Sequence, residues 1–174
     1  NIPVDHLFAA PVLLDAIRKL AIEDLVIVSP DVGGVARARA IGKRLDASLA
    51  IIDKRRTGKN ETEVLNVVGD VEGRNVLILD DIIDTAGTLV QAAEALRRQG
   101  AKKIYAAGVH AVLSGPALER IEASPLENLL VTNTIPVEAA MARCPRIRSL
   151  SIAPLLGEAI QRIHEGTSVS SLFV

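Results

Sequence analysis

The segment VLILDDIIDTAGT, residues 76–88, brings three carboxylates close to a turn that is rich in glycine and threonine. Asp80 and Asp81 follow an aliphatic run, which predicts that they lie at the carboxyl end of a buried strand. Two adjacent carboxylates at the edge of a core are costly unless a cation or hydroxyl groups bind there. The sequence therefore predicts a binding site for hydroxyl groups or a divalent cation at this strand end.

The turn DTAGT, residues 84–88, leads into a helical pattern and has the features of a phosphate-binding loop. Backbone N–H groups at a helix start, a flexible Gly87 and the hydroxyls of Thr85 and Thr88 can bind an anion together. A ligand with a phosphate at one end and vicinal hydroxyls about a sugar's length away would satisfy the turn and the aspartate pair. The alternative is that Asp84 or Thr85 only caps the following helix, with the aspartate pair solvated.

Two further loops carry charged residues at predicted strand ends. In SPDVGG, residues 29–34, Asp31 projects from a proline-led turn whose paired glycines let the backbone approach an anion. An ordinary strand–helix turn capped by Asp31 explains this loop equally well. KRRTGKN, residues 54–60, has three successive cations in a polar stretch that we predict to be an exposed mobile loop over 54–63, and its composition alone favours a solvated surface.

The elements that must position these loops alternate between strands and helices. Apolar residues make up 49% of the chain and aromatic residues only 2%, so the core is aliphatic, as in helices packed on a parallel sheet. The sequence predicts an α/β fold in which a mostly parallel β-sheet is flanked by helices. Ligands in such sheets bind beyond the carboxyl ends of the strands. Asp31, Lys54, Asp80 and His110 are therefore predicted to lie on one rim.

The predicted elements follow the apolar periodicity. We predict strands at 25–29, 48–53, 63–70 (strand or extended segment), 76–80, 103–109, 128–133 and 147–152. Helices are predicted at 5–20, 33–45, 88–100, within 115–124, and at about 138–142 and 155–165.

Composition excludes several classes of function. The chain has 20 Lys+Arg, 21 Asp+Glu and no Trp, which argues against nucleic acid as a partner. The apolar runs are too short to span a membrane. The single Cys144 excludes an intrachain disulfide and a multi-cysteine metal site, and it agrees with a cytoplasmic location.

The motifs together resemble one enzyme family. VLILDDIIDTAGT is similar to the ribose-phosphate binding motif of the type I phosphoribosyltransferase fold. VSPDVGGVARARAIGKRL, IIDKRR, VLSGPALERI, TNTIP and SVSSLF resemble ribose-phosphate pyrophosphokinase, also called phosphoribosyl-pyrophosphate synthetase, and the resemblance runs over nearly the whole chain.

The resemblance implies a role for each loop. It implies that Asp80, with Asp81 beside it, binds ribose hydroxyls and that Asp31 binds magnesium. Lys54 and Arg56 match the catalytic lysine and arginine of a mobile loop that closes over polyphosphate, where Arg56 also contacts substrate. The loop that holds the 5-phosphate corresponds to Asp84, Thr85, Ala86, Gly87 and Thr88.

Ala86 stands where many family members have glycine. We expect little loss from this change unless the position requires a positive φ angle. Ser168 and Ser170 match tail serines that contribute to an allosteric phosphate or ADP site in bacterial members.

The activity implied by the resemblance is transfer of the diphosphoryl group of magnesium ATP to ribose 5-phosphate. The products are 5-phosphoribosyl diphosphate and AMP, and family members are commonly homohexamers. Two alternatives remain, a non-catalytic regulatory subunit that resembles the synthetase and a phosphoribosyltransferase.

The chain starts at Asn1, whereas family members consist of two similar halves, of which this sequence matches the second. We therefore expect a phosphoribosyltransferase-like domain at 1–153, a helix at 154–166 that packs on an absent N-terminal half, and a tail at 167–174. By the same expectation, the chain alone binds sugar phosphate but is catalytically incomplete.

Overall fold

The computed structural model describes residue 2 and residues 4–55 and 64–173. The strands of the described part, β1–β7, are Leu25–Ser29, Ser48–Arg55, Val64–Val68, Asn75–Ile83, Lys103–Ala111, Leu126–Thr132 and Ile147–Leu150. The α-helices, α1–α6, are Ala10–Lys19, Val35–Leu45, Gly87–Arg98, Ala117–Ala123, Glu138–Arg143 and Ala153–His164, and a 3-10 helix follows at Ser170–Leu172.

The strands form one sheet in the order β3-β2-β1-β4-β5-β6-β7. Each neighbouring pair is parallel except β2 and β3, which are antiparallel. Helices α1 and α2 contribute to the core on one face, and α3 and α4 contribute to the core on the other. The predicted α/β fold with a mostly parallel sheet flanked by helices is confirmed.

Aliphatic strands explain the placement of the core. Val26, Ile27 and Val28 of β1 are fully buried, as are Val76, Leu77 and Ile78 of β4. Successive strand residues point to opposite faces, so continuous burial requires helices on both sides of the sheet. The central strands are therefore held rigidly, and the loops at their carboxyl ends start from fixed positions.

Several predicted boundaries were wrong. Strand β4 was predicted to end at residue 80 but continues through Ile83, so Asp80 and Asp81 lie within the strand and not at its carboxyl end. Strand β2 continues through Arg55, so the backbone at Lys54 is strand and not loop. Helix α1 begins at Ala10, since Pro11 stands in its first turn, where a missing N–H costs nothing.

No helix in the described ranges is long and apolar enough to span a membrane.

Candidate functional site

The candidate site lies where β1 and β4 are neighbours. The helix after β1 packs on one face of the sheet and the helix after β4 packs on the other, which makes this pair the switch point where α/β folds open a crevice. Val28 pairs with Ile78, so both strands end at the same rim. A cavity of about 260 Å3 opens there, lined by Asp31, Asp80, Ile82, Ile83, Asp84, Thr85, Ala86, Gly87, Thr88 and Leu89.

The pKa of the Asp80 carboxyl group, which lines this cavity, lies well above its ordinary value. Burial raises the pKa of Asp80 to about 6, and the charges of Asp81 and Asp31 act in the same direction. The N–H of Asp81 donates a hydrogen bond to Asp80 Oδ1 at 2.9 Å, which opposes the rise only in part. A nearby cation or hydroxyl donor would therefore stabilise the ionised form of Asp80.

The carboxyl group of Asp81, the next residue, has its pKa shifted in the opposite direction. Arg37, in the first turns of α2, forms an ion pair with Asp81 at 2.8 Å between Nη2 and Oδ2. Burial pushes the pKa of Asp81 upward, but the charge of Arg37 and hydrogen bonds to the carboxylate outweigh it and lower the pKa. Arg37 belongs to the basic stretch RARAIGKR, and the sequence carries no signal that pairs this residue with Asp81.

The loop 84–88 does not use a side-chain helix cap. Helix α3 begins at Gly87, and its N-cap residue is Ala86, which makes no capping bond. The carboxylate of Asp84 instead accepts a short hydrogen bond from the Ser114 hydroxyl. The alternative in which Asp84 or Thr85 only caps this helix is therefore wrong. The first residues of α3 line the cavity, and the N-cap supplies no side-chain acceptor for their N–H groups.

Ala86 adopts a left-handed backbone conformation with φ 57° and ψ 10°. The condition under which we expected a loss from alanine is therefore met, since this conformation costs a non-glycine residue about 1–2 kcal/mol. The methyl group of Ala86 is buried in the core, where burial of one carbon contributes about 0.8 kcal/mol and offsets part of that strain.

Asp31 caps its own turn. Its Oδ1 accepts a hydrogen bond from the N–H of Gly34 at 2.8 Å, and the buried Ser29 hydroxyl donates to its carbonyl oxygen at 2.7 Å. Asp31 therefore caps the strand–helix turn, as the alternative interpretation predicted. It also lines the cavity. Oδ2 can coordinate a cation without disturbing the bond to Gly34.

The predicted catalytic cations are only partly described. Lys54 lies in β2 opposite Leu65 of β3, one strand away from β1. Arg56 lies outside the described residues, as does the rest of the predicted mobile loop at 56–63.

The tail serines contact each other and not the loop 84–88. The Ser168 hydroxyl lies 3.1 Å from the Ser170 hydroxyl, and Arg162 donates to the carbonyl oxygen of Ser168 at 3.0 Å. Phe173, farther along the tail, lines a second cavity of about 300 Å3 that extends to Asp80. The tail is therefore adjacent to the candidate site by way of this second cavity.

Sequence reasoning missed two residues that support the loop 84–88. Ser114 binds Asp84 through its hydroxyl and also donates its N–H to the Asp84 carbonyl oxygen at 3.1 Å. Arg120 donates to the carbonyl oxygen of Thr85 at 2.9 Å. Both lie in the stretch VLSGPALERI, which carried the family resemblance but no assigned role.

Comparison with known proteins identifies the family. Residues 54–174 match the family described as Phosphoribosyl synthetase-associated domain. The chain belongs to this family. It is 55% identical over 173 residues to a ribose-phosphate pyrophosphokinase of Burkholderia pseudomallei, covering 99% of this chain and 54% of the relative. A Synechococcus elongatus protein of the same name is 57% identical over 175 residues, covering 99% and 53%.

A solved structure agrees with these relatives. The phosphoribosylpyrophosphate synthetase of Mycobacterium smegmatis superposes with a TM-score of 0.86 and 41% identity, over 94% of this chain and 53% of that one. The predicted resemblance to this synthetase family is confirmed. The chain spans about half the length of the curated relatives it matches.

Proposed function

We propose that this chain is the sugar-phosphate-binding half of a ribose-phosphate diphosphokinase. The enzyme would transfer the diphosphoryl group of ATP to the anomeric hydroxyl of ribose 5-phosphate, giving 5-phosphoribosyl diphosphate and AMP. The observation that carries the proposal is a cavity that joins Asp80 to the loop 84–88 at the β1/β4 switch point. The names of the 55–57% identical relatives support the same reaction.

The two ends of the cavity suit the two ends of the substrate. The start of α3 offers backbone N–H groups and a positive helix dipole to the 5-phosphate, and the hydroxyls of Thr85 and Thr88 add donors. The carboxyl group of Asp80 can accept hydrogen bonds from the ribose hydroxyls. Asp81 beside it is oriented by Arg37, so we assign it a supporting role.

Magnesium suits the carboxylates at this rim. The charge of Asp31 contributes to the raised pKa of Asp80, so a cation near both groups would relieve their repulsion. The described residues contain no cluster of three or more His, Cys, Asp or Glu side chains arranged for a metal. Asp31 would therefore hold the ion together with phosphate oxygens of ATP and water, and bound magnesium would neutralise charge on the polyphosphate.

The reaction itself needs positioning and positive charge. The anomeric oxygen forms a bond to the β-phosphorus in line with the bond to the leaving AMP, the latter bond breaks, and the hydroxyl proton is released. Negative charge spreads over the diphosphoryl oxygens in this step. We assign its stabilisation to Lys54 and Arg56, with Arg56 also contacting substrate.

The remaining features of the proposal come from the family resemblance. They are a homohexameric assembly, a cytoplasmic location, an allosteric role for Ser168 and Ser170, and an upstream half that completes the ATP site. In this arrangement residues 1–153 form the phosphoribosyltransferase-like domain, the helix at 154–166 packs on that half, and 167–174 is the tail.

Phosphorus NMR of ribose 5-phosphate titrated with this chain tests the sugar-phosphate site. We expect a saturable shift of the phosphate signal. Thr88→Val, which removes a hydroxyl at the loop, should weaken the affinity for ribose 5-phosphate at least tenfold. Thr167→Val, a matched change in the exposed tail, should leave the titration unchanged. A wild-type chain that produces no shift, or a Thr167→Val loss equal to that of Thr88→Val, contradicts the proposed site.

Activity requires a longer protein. A chimera in which this chain replaces the matching 173 residues of the Burkholderia pseudomallei relative should form AMP from ATP only when ribose 5-phosphate is present. Lys54→Ala in the chimera should lower kcat at least a hundredfold with a nearly unchanged affinity for ribose 5-phosphate. A folded chimera that binds the sugar phosphate but forms no AMP favours the non-catalytic regulatory subunit.

A further inference from the structure

Helix α4 is anchored directly behind the phosphate loop. Ala117 and Ile121 are fully buried in the same core cluster as Ala86 and Leu89, so α4 and the start of α3 share one packed face. The chain before α4 is tied to the loop as well, through the two hydrogen bonds between Ser114 and Asp84. Because both ends of this connection are fixed, side chains of α4 have defined positions against the loop.

Arg120 extends from α4 onto the backbone of the loop. Its Nη1 donates to the Thr85 carbonyl oxygen at 2.9 Å. A Cβ atom added to Gly87 would lie 3.3 Å from the same Nη1, so the guanidinium rests closely against the first residue of α3. Gly87 does not need its flexibility for a positive φ angle, and it serves here by leaving room for the arginine.

We propose that Arg120 is a positioning residue for the phosphate of the sugar substrate. By holding the Thr85 carbonyl oxygen, it turns the following N–H groups of the loop toward the anion. Its permanent charge, with Nη1 at 2.9 Å from the Thr85 carbonyl oxygen, also favours the doubly charged phosphate. This inference rests on the proposed function, and it assigns phosphate affinity and selectivity to a residue outside the DTAGT motif.

Positioning and charge can be separated by two substitutions. Arg120→Gln keeps an N–H donor for the Thr85 carbonyl oxygen but removes the charge. Arg120→Lys keeps the charge on a shorter side chain. Arg143→Gln is a matched control, because Arg143 pairs with Glu119 of the same helix at 3.2 Å and touches the neighbour of Arg120 rather than the loop.

The test is the dissociation constant of ribose 5-phosphate, measured by phosphorus NMR with the 174-residue chain, together with that of inorganic phosphate. We expect Arg120→Gln to raise the dissociation constant of ribose 5-phosphate about tenfold and that of inorganic phosphate by a similar factor. Arg120→Lys should recover part of this loss of affinity. Arg143→Gln should keep both dissociation constants within twofold of the wild-type values. Thermal unfolding followed by circular dichroism identifies any variant that fails to fold, and Arg120→Lys, which retains the charge, then provides the comparison.

The outcomes separate the inference from the proposed function. If the wild-type chain binds ribose 5-phosphate and Thr88→Val weakens it, but Arg120→Gln and Arg120→Lys stay within twofold, the role of Arg120 is wrong and the proposed site stands. If the wild-type chain binds neither ribose 5-phosphate nor inorganic phosphate, both are overturned.

Discussion

Arg37 Nη2 lies 2.8 Å from Asp81 Oδ2, and this ion pair gives two adjacent carboxyl groups different properties. Asp81 is held ionised by the arginine, whereas burial raises the pKa of Asp80 to about 6. One carboxyl group is thus occupied within the protein, and the other is left to respond to a ligand.

Replacing Arg37 with methionine should raise the pKa of Asp81, because the cation that opposes burial is removed. Carbon-13 NMR titration of the aspartate carboxyl groups measures this shift directly. Arg39→Met, two residues along α2, is the control and should leave both titrations in place. The pair is half exposed, so we expect a change in the free energy of unfolding of no more than about 1 kcal/mol. An unchanged Asp81 titration in Arg37→Met would refute the assignment.

The free energy of unfolding should decrease as pH rises, because the folded state raises the pKa of Asp80. The folded state binds this proton more tightly than the unfolded chain, whose aspartate pKa is 3.8. The stabilisation is complete below pH 3.8 and is lost as pH rises through about 6. Because the carboxyl group is partly exposed, solvent screening keeps this contribution below about 3 kcal/mol, the value that the shift alone would give. Asp80→Asn cannot titrate and should lack this decline. Urea unfolding at a series of pH values measures it, and parallel curves for the two proteins would contradict the raised pKa.

Gly34 should not tolerate a side chain. A Cβ atom there would lie 2.8 Å from the Ser29 hydroxyl, which is buried and bonded to Asp31. Gly34→Ala should therefore destabilise the chain by about 1–3 kcal/mol, measured by urea unfolding. The double variant Ser29→Ala/Gly34→Ala should recover part of that loss.

The control for this substitution is Gly157→Ala in α6, where nothing lies within 4 Å of the new Cβ. It should stabilise the chain by up to about 1 kcal/mol, since alanine favours a helix interior. Equal effects of the two alanine substitutions would show that the crowding at Gly34 is relieved at no cost.

The proposed packing of α6 on an upstream half can be tested at Ile160, which is 67% exposed in this chain. Ile160→Thr should change the free energy of unfolding of the isolated chain by less than about 0.5 kcal/mol. In the chimera it should destabilise by about 1–2 kcal/mol, because an apolar contact is lost. Thermal unfolding of both forms measures the difference.

Val68→Thr, at a residue of β3 that is 53% exposed, is the matched control and should act equally in both forms. If Ile160→Thr also acts equally in both forms, α6 does not pack on the added half.

Much of the fold follows from local sequence. The run LVIVS predicts β1 with its observed bounds, because a short aliphatic segment followed by proline fits a strand buried on both faces. The predicted end of β4, at residue 80, was too early, since the aspartate pair indicated the carboxyl end of the strand. The strand continues because β5 pairs with it as far as Ile83, a contact that local sequence does not contain.

The candidate site divides in the same way. The sequence by itself determined the aliphatic strands, the rim at their carboxyl ends and the DTAGT loop, because these depend on residues close together in the chain. Only the tertiary structure decided three contacts. Arg37 forms an ion pair with Asp81, Ser114 donates a hydrogen bond to Asp84, which does not cap the helix, and Arg120 donates a hydrogen bond to the Thr85 carbonyl oxygen. The last two contacts join residues 30 and 35 positions apart. They exist because β4 pairs with β5, which brings the loops after both strands together, and because α4 packs beside the start of α3.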